Sequence, residues 1–268
     1  MQPTTTTQPV VSTTKVVGGG GVPQKKAAIV RQDGKRKQGG DGTSGWVWYA
    51  GRALYEYLML QYNNDIDIDN NNVPLRGMSI LEFGSGTGWL AIELALKGAM
   101  VTATDRMDAM PLLIQNIATN IERFVVGSRN SEEHDELFLE VHCLEWISNS
   151  DLIKEEIEGS DDVDDGGGES NHQLFQYNNN NLMMIPGKWD LIVGSDLIYI
   201  SEHYKALLET LARHDCKHYI LAYEERKPAE EIMFLKMSSD YSFQTNRSLA
   251  GINPETGNRV WIVRMEKS

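Results

Sequence analysis

The chain has 268 residues, enough for one large domain or two small ones, and its 41% hydrophobic content can fill a proper core. A net charge of −13 argues against a nucleic-acid backbone as the main partner and fits a basic protein or peptide better. Two cysteines, Cys143 and Cys216, are too few for a disulfide framework, no Cys/His spacing fits a zinc site, and no metal is expected.

Residues 1–43 come first and read as a disordered basic arm. They carry no sustained apolar periodicity, and a run of four glycines sits at 18–21. Residues 1–40 hold seven basic side chains against one acid, and cannot bury enough apolar surface to offset ordering entropy. The arm lacks the apolar stretch of a signal peptide, and no run in the chain reaches transmembrane length, so a cytoplasmic protein without membrane contact is expected. Lys35-Arg36-Lys37 is the one short cluster compatible with the nucleus.

From residue 44 to 268 short apolar runs alternate with amphipathic stretches. Ala50, Leu54, Tyr57 and Leu58 share one helical face, as do Met110, Leu113, Ile114, Ile117 and Ile121, and as do Tyr204, Leu207, Leu208 and Leu211. Strands are expected at 79–83, 100–104, 137–143, 189–194, 218–223 and 259–265. The spacing predicts an α/β fold, a Rossmann-like doubly wound, seven-stranded, mostly parallel sheet with helices on both faces. An Asn/Asp-rich run at 63–72 separates the first helix from the first strand. A longer insertion at about 148–187 holds an acidic block, nine acids and one lysine over 151–171, and an Asn run at 178–181. Falling between two strands, it leaves the sheet free to close beneath it.

The first strand runs into LEFGSGTGW at 81–89. A dinucleotide fingerprint, G-x-G-x-x-G, uses its third glycine for close helix–strand packing, and here Trp89 stands at that position. The glycines fall at Gly84, Gly86 and Gly88 instead, with Glu82 two residues ahead of the first. A carboxylate there repels a pyrophosphate and suits a ligand bearing positive charge, such as an amino acid's ammonium group. Asp105, at the end of the next strand, is placed to accept hydrogen bonds from ribose hydroxyls, which serves NAD and S-adenosylmethionine alike. Its alternative role is to cap the helix beginning near Met107. Tyr223 and Lys227 formally match the Tyr-x-x-x-Lys pair of short-chain dehydrogenases. That pair needs one helix face, whereas Tyr223 ends an apolar strand and Lys227 precedes Pro228, so the match is read as chance.

With these residues in place the sequence resembles the class I, seven-strand S-adenosylmethionine-dependent methyltransferases, and within them the nicotinamide N-methyltransferase-like group of protein-lysine methyltransferases. The resemblance covers 44–268 outside the insertion and rests on GWVWYAGRALYEYL, LEFGSGTG, VTATD, Leu144-Glu145-Trp146, and GSDLIY with its Asp196-x-x-Tyr199 motif. It implies that Gly84, Ser85 and Gly86 lie against the methionine part of S-adenosylmethionine, with Glu82 behind them, and that Asp105 holds the ribose. Trp146 is implied beside the adenine, Ser195 along the cofactor, and Trp48 at the pocket from the N-terminal helix. Simple burial is the competing role for tryptophans, above all for Trp46, Trp89 and Trp189.

The implied activity is protein-lysine N-methylation, by in-line displacement of a methyl from sulfonium onto a neutral amine. Asp196 and Tyr199 are the candidate catalytic pair at the end of the fourth strand, and Asp196 either acts as base or only holds the amine. Tyr223 and Arg226 are expected to shape the acceptor side. The expected partner is an intracellular protein with an accessible lysine in a basic segment, met by a monomeric enzyme. A small-molecule N-methyltransferase and a non-catalytic binding protein on the same fold are the alternatives. The chain departs from the family in its arm, its insertion, and Ile147-Ser148 after Trp146, where a glycine is usual.

Overall fold

Strands covered on both faces read as unbroken apolar runs, because alternate side chains go to two different cores. The structure, a computed structural model, describes residues 13–20, 28–32, 45–62, 75–128, 133–148 and 184–268. The run at 63–72, the cluster at 35–37, and the acidic and Asn-rich parts of the insertion lie outside the described residues.

One sheet is built from β1 (Thr13–Gly20), β2 (Ser79–Phe83), β3 (Met100–Asp105), β4 (Glu133–Cys143), β6 (Leu191–Ser195), β8 (His218–Glu224), β9 (Phe243–Ile252) and β10 (Arg259–Lys267). Its order is β1-β4-β3-β2-β6-β8-β10-β9, and β5 (Lys188–Trp189) pairs separately with β7 (Asp215–Cys216). The five strands from β4 to β8 run parallel, while β10 is antiparallel to both its neighbours. From β2 the chain winds outward to β3 and β4, then returns to β6 on the other side of β2 and winds away to β8 and β10. The point where this order reverses leaves a crevice beyond the strand C-termini, where open α/β sheets hold their ligands.

The two cores follow from the alternation. Ile80, Leu191, Val193, Ile220 and Ile262 face α1 (Tyr49–Tyr62), α2 (Trp89–Ala95) and α3 (Met110–Ser128). Leu81, Phe83, Ile192, Tyr219, Leu221 and Val263 face α4 (Tyr204–Arg213) and α5 (Pro228–Met237). All four of the residues expected on the inner face of α4 are fully buried, and Ala50, Leu54 and Leu58 of α1 are too. At about 25 cal/mol per Å² of apolar surface this double burial is what holds the sheet between its helices.

Several expectations are corrected. Ile114 of α3 is exposed, so the inner face of that helix is Leu113 and Ile117, with Met110 and Ile121 partly buried beside them. The run at 189–194 is split at Asp190, whose Oδ2 accepts a hydrogen bond from the Ser79 N–H, so that two strands stand there. Two stretches of the basic arm are described. Residues 13–20 pair antiparallel with β4, making β1 an eighth strand beside the expected seven, and residues 28–32 are tied to α2 and α3. No helix among the described residues is long and apolar enough to cross a membrane.

Candidate active site

The turn between β2 and α2 explains its glycines. Gly84, Gly86 and Gly88 have φ of 63°, 54° and 76°, the left-handed region open to glycine at little cost. A Cβ on Gly88 would lie 2.7 Å from Leu113 Cδ1, so Gly88 is the residue that lets the turn pack against α3. The close-packing glycine therefore stands one residue ahead of Trp89. Trp89 itself meets Tyr55 edge-to-face at 5.7 Å and also lines the cavity described below.

Hydrogen bonds fix the path of this turn. The Ser85 N–H donates to Thr104 O (2.8 Å), the Thr104 N–H donates to Ser85 Oγ (3.2 Å), and the Gly86 N–H donates to Asp105 Oδ2 (2.6 Å). Asp105 Oδ1 accepts the Arg106 N–H at 2.8 Å. Asp105 thus braces the loop across the strand ends and does not cap α3. Each carboxylate oxygen retains acceptor capacity for a ligand hydroxyl.

Two buried carboxyls lie under the turn. Burial pushes Glu82 up to about 7, against hydrogen bonds from Ser85 and Ala91 and with the neighbouring Asp105 charge adding to the rise. Burial likewise pushes Asp105 up to about 6, opposed by the Gly86 and Arg106 N–H groups. Glu82 Oε2 is buried with no hydrogen-bond partner among the described residues. A buried carboxylate oxygen left open in this way costs free energy unless a donor meets it, and a cationic donor suits it best.

A cavity of about 360 Å³ opens above the turn, within the roughly 300–1,000 Å³ usual for small-ligand sites. Trp48, Glu82, Gly84, Ser85, Gly86, Asp105, Trp146, Ser195, Asp196, Tyr199 and Arg226 all line it, drawn from six separate segments. Gly51 of α1 approaches so closely that a Cβ there would come within 3.2 Å of Ser195 Oγ, which brings Trp48 to the cavity wall. Trp146 stands on the loop after β4, and that loop is anchored by the Arg213 guanidinium donating twice to Ile147 O at 3.1 Å. The unexpected Ile-Ser turn is therefore held by a side chain from α4.

At the other end of the cavity sits Asp196, just past β6 and with φ of 53°. Its Oδ1 accepts the Glu224 N–H at 3.1 Å and an Arg226 Nη1 donor at 2.9 Å, so it does not cap a helix. Its Oδ2 is buried without a partner among the described residues. Burial raises the Asp196 carboxyl, opposed first by the Arg226 charge and then by the Glu224 N–H. Arg226 is in turn held by Glu224 at 3.7 Å and lies 5.2 Å from the Trp48 ring centre, a cation–π distance. Glu224 accepts hydrogen bonds from Asn253, Thr256 and Asn258 on the turn between β9 and β10. Burial alone would raise Glu224, but these donors and Arg226 together hold it below its ordinary value.

One expected site residue is not in the cavity. Tyr223 is fully buried on the α4/α5 face of β8, and its hydroxyl accepts a hydrogen bond from Arg247 Nη1 at 2.9 Å. Strand alternation turns it away from the rim that Glu224 and Arg226 reach. Conversely, Trp46 is 48% exposed and lines the cavity, so it is not a core residue, whereas Trp189 is. Thr87, Arg106, Glu145 and His203 also line the cavity and were missed. Three of these adjoin motif residues, which was their only signal; His203 stands in a polar stretch with none.

Switch-point crevice, glycine turn and acid at the end of the second parallel strand together define a nucleoside-binding α/β domain of the class I methyltransferase kind. The chain belongs to the lysine methyltransferase family, whose profile matches residues 33–158 and 150–240. Among curated proteins it is 29% identical over 182 residues to protein N-lysine methyltransferase METTL21A of Danio rerio, covering 68% of this chain and 58% of that one. Identity to EEF1A lysine methyltransferase 3 of Mus musculus is 26% over 175 residues, covering 65% of this chain and 52% of that one. For protein-lysine N-methyltransferase EFM6 of Saccharomyces cerevisiae it is 26% over 217 residues, covering 76% and 72%. The match thus spans less than two thirds of the METTL21A and EEF1A methyltransferase chains.

Proposed function

We propose that this protein is an S-adenosylmethionine-dependent N-methyltransferase acting on a lysine side chain of an intracellular protein, as a monomer in the cytoplasm. S-adenosylmethionine, when bound, supplies an electrophilic methyl on a positively charged sulfur. The residues fit that cofactor: Glu82 has an open buried oxygen for a cationic group, Asp105 has acceptor capacity for hydroxyls, and Trp146 is a flat wall. Gly84, Ser85 and Gly86 bring backbone to the same space.

The observation that carries the acceptor side is the open Oδ2 of Asp196. Arg226 holds both the Asp196 and the Glu224 carboxyl, and among their oxygens only Oδ2 of Asp196 is unspoken for. Such a wall draws a cationic amine and orients it once the proton has left. A lysine amine has an ordinary pKa of about 10.4, and desolvation between Trp46, Trp48 and Tyr199 lowers it. Asp196 is the group that holds the amine; Tyr199 shapes the channel beside it. Orientation of this kind contributes up to roughly 7–11 kcal/mol in well-aligned systems.

The test is incubation of labelled S-adenosylmethionine with cell lysate and either the wild-type chain or Asp196→Asn. Label on lysine in a protein band, present only with wild type, is the expected result. Label confined to the small-molecule fraction would overturn the protein-substrate reading.

A further inference from the structure

Two buried asparagines on α3 have no part in the chemistry described so far, yet almost all their hydrogen-bonding capacity is spent. Asn116 and Asn120 are 2% and 7% exposed and sit one helical turn apart. Asn116 Oδ1 accepts the Arg31 N–H at 2.8 Å, and its Nδ2 donates to Arg31 O at 3.0 Å. Asn120 Oδ1 accepts the Ile29 N–H at 2.9 Å, and its Nδ2 donates to Ile29 O at 2.6 Å. Each asparagine thus reads one peptide residue through both N–H and C=O, as a neighbouring strand would.

The register has a geometric reason. Four residues of helix rise about 6 Å, and two residues of extended chain rise about 6.6 Å, so i and i+4 on a helix match i and i+2 on an extended segment. Glu93 on α2 continues the ladder, its Oε1 accepting the Ala28 N–H at 2.7 Å. The side chain of Ile29 is 56% exposed and contributes little to this attachment. The segment is held by these backbone hydrogen bonds together with Ala28 and Val30, which pack against the core.

The Arg31–Gln32 end of this strap is tied to the walls of the cavity in two places. The second proton of Asn116 Nδ2 donates to Thr87 O at 2.9 Å, inside the glycine turn and between two residues of left-handed φ. Gln32 Oε1 accepts the Val47 N–H at 3.0 Å, between Trp46 and Trp48. We propose that residues 28–32 form a strap that belongs to the cofactor site. Asn116 and Asn120 are positioning residues that hold the strap, and through it the segment bearing Trp46 and Trp48, while the same Asn116 amide holds the glycine turn directly. Without the strap, Asn116, Asn120 and Glu93 lose the partners it supplies, and the Asn116 amide that donates to Thr87 O is no longer oriented from its other side, a cost borne where the cofactor is received.

The inference rests on the cofactor reading given above, and the test separates the two. In the full chain, Ile29→Pro with Arg31→Pro removes the two N–H donors while leaving every cavity residue in place. Ile29→Ala with Arg31→Ala keeps those donors and serves as the control. Calorimetric titration with S-adenosylmethionine is expected to show about tenfold weaker binding for the proline pair and unchanged binding for the alanine pair. Hydrogen exchange is expected to quicken at Thr87 and Gly88 in the unliganded proline pair. Equal affinity of the proline pair and wild type, whether or not the melting temperature falls, would sink the strap proposal. No binding by wild type itself would sink the cofactor reading instead.

Discussion

At the scale of single residues, Asp196 is the most informative position. It combines left-handed backbone with a half-occupied carboxylate, and aspartate and asparagine are among the few side chains that tolerate such a φ. Alanine there would confound loss of the carboxylate with backbone strain, so asparagine is the cleaner substitution. Asp196→Asn is expected to lower the transfer rate about 100-fold, the scale of a misplaced reacting group, with cofactor affinity unchanged by calorimetry. The motif residues were legible one by one because each adjoins a strand end, where type and spacing carry meaning. Tyr223 was misread because a tyrosine at a strand end looks the same whether it points to the crevice or to the core. Only the alternation of β8, with Tyr219 and Leu221 buried on the same face, decides it.

At the scale of elements, legibility followed burial. The first strand was bounded correctly at Ser79–Phe83, because its central residues are enclosed on both faces. β9 was not foreseen: its sequence FQTNRSLAGI buries only Phe243, so it offers neither an apolar run nor clean alternation. Its place is secured by a long antiparallel pairing with β10, which is tertiary information. α5 was also missed, since its apolar residues do not gather on one face and its start rests on Pro228 at the first turn. The glycine turn is sensitive to a single methyl group. A Cβ on Gly84 would meet Leu197 Cδ2 at 2.5 Å in a backbone conformation that side chains avoid. Gly84→Ala is expected to destabilise the fold by about 1–3 kcal/mol and to lower the melting temperature accordingly, as read by calorimetric scanning.

For the whole molecule, charge sets the terms of encounter. A chain of net charge −13 attracts basic segments over distances that salt shortens. If the acceptor is a basic protein segment, its methylation is expected to slow steadily as sodium chloride rises from about 20 to 200 mM, while a neutral short peptide carrying the same lysine is affected little. A flat response with the protein substrate would remove steering from the account. The doubly wound architecture itself was legible from the alternation of runs. The gathering of six segments into one cavity was not, since the order β4-β3-β2-β6-β8 is set by which faces pack and not by any local pattern.

The buried carboxyl pair beneath the glycine turn has a consequence in heat and protons. Folding raises Glu82 from 4.5 to about 7 and Asp105 from 3.8 to about 6, so both hold protons to higher pH than in the unfolded chain. Ionising them costs stability, which declines as pH climbs from about 4 through 7. A ligand that presents positive charge favours the ionised forms and expels what protons remain. At pH 7 the expulsion is on the order of half a proton per site, nearly all of it from Glu82. The apparent binding enthalpy of S-adenosylmethionine is therefore expected to differ between phosphate and Tris at pH 7. Glu82→Gln should erase the difference, and an enthalpy blind to buffer in the wild type would show that this carboxyl is ionised before the ligand arrives.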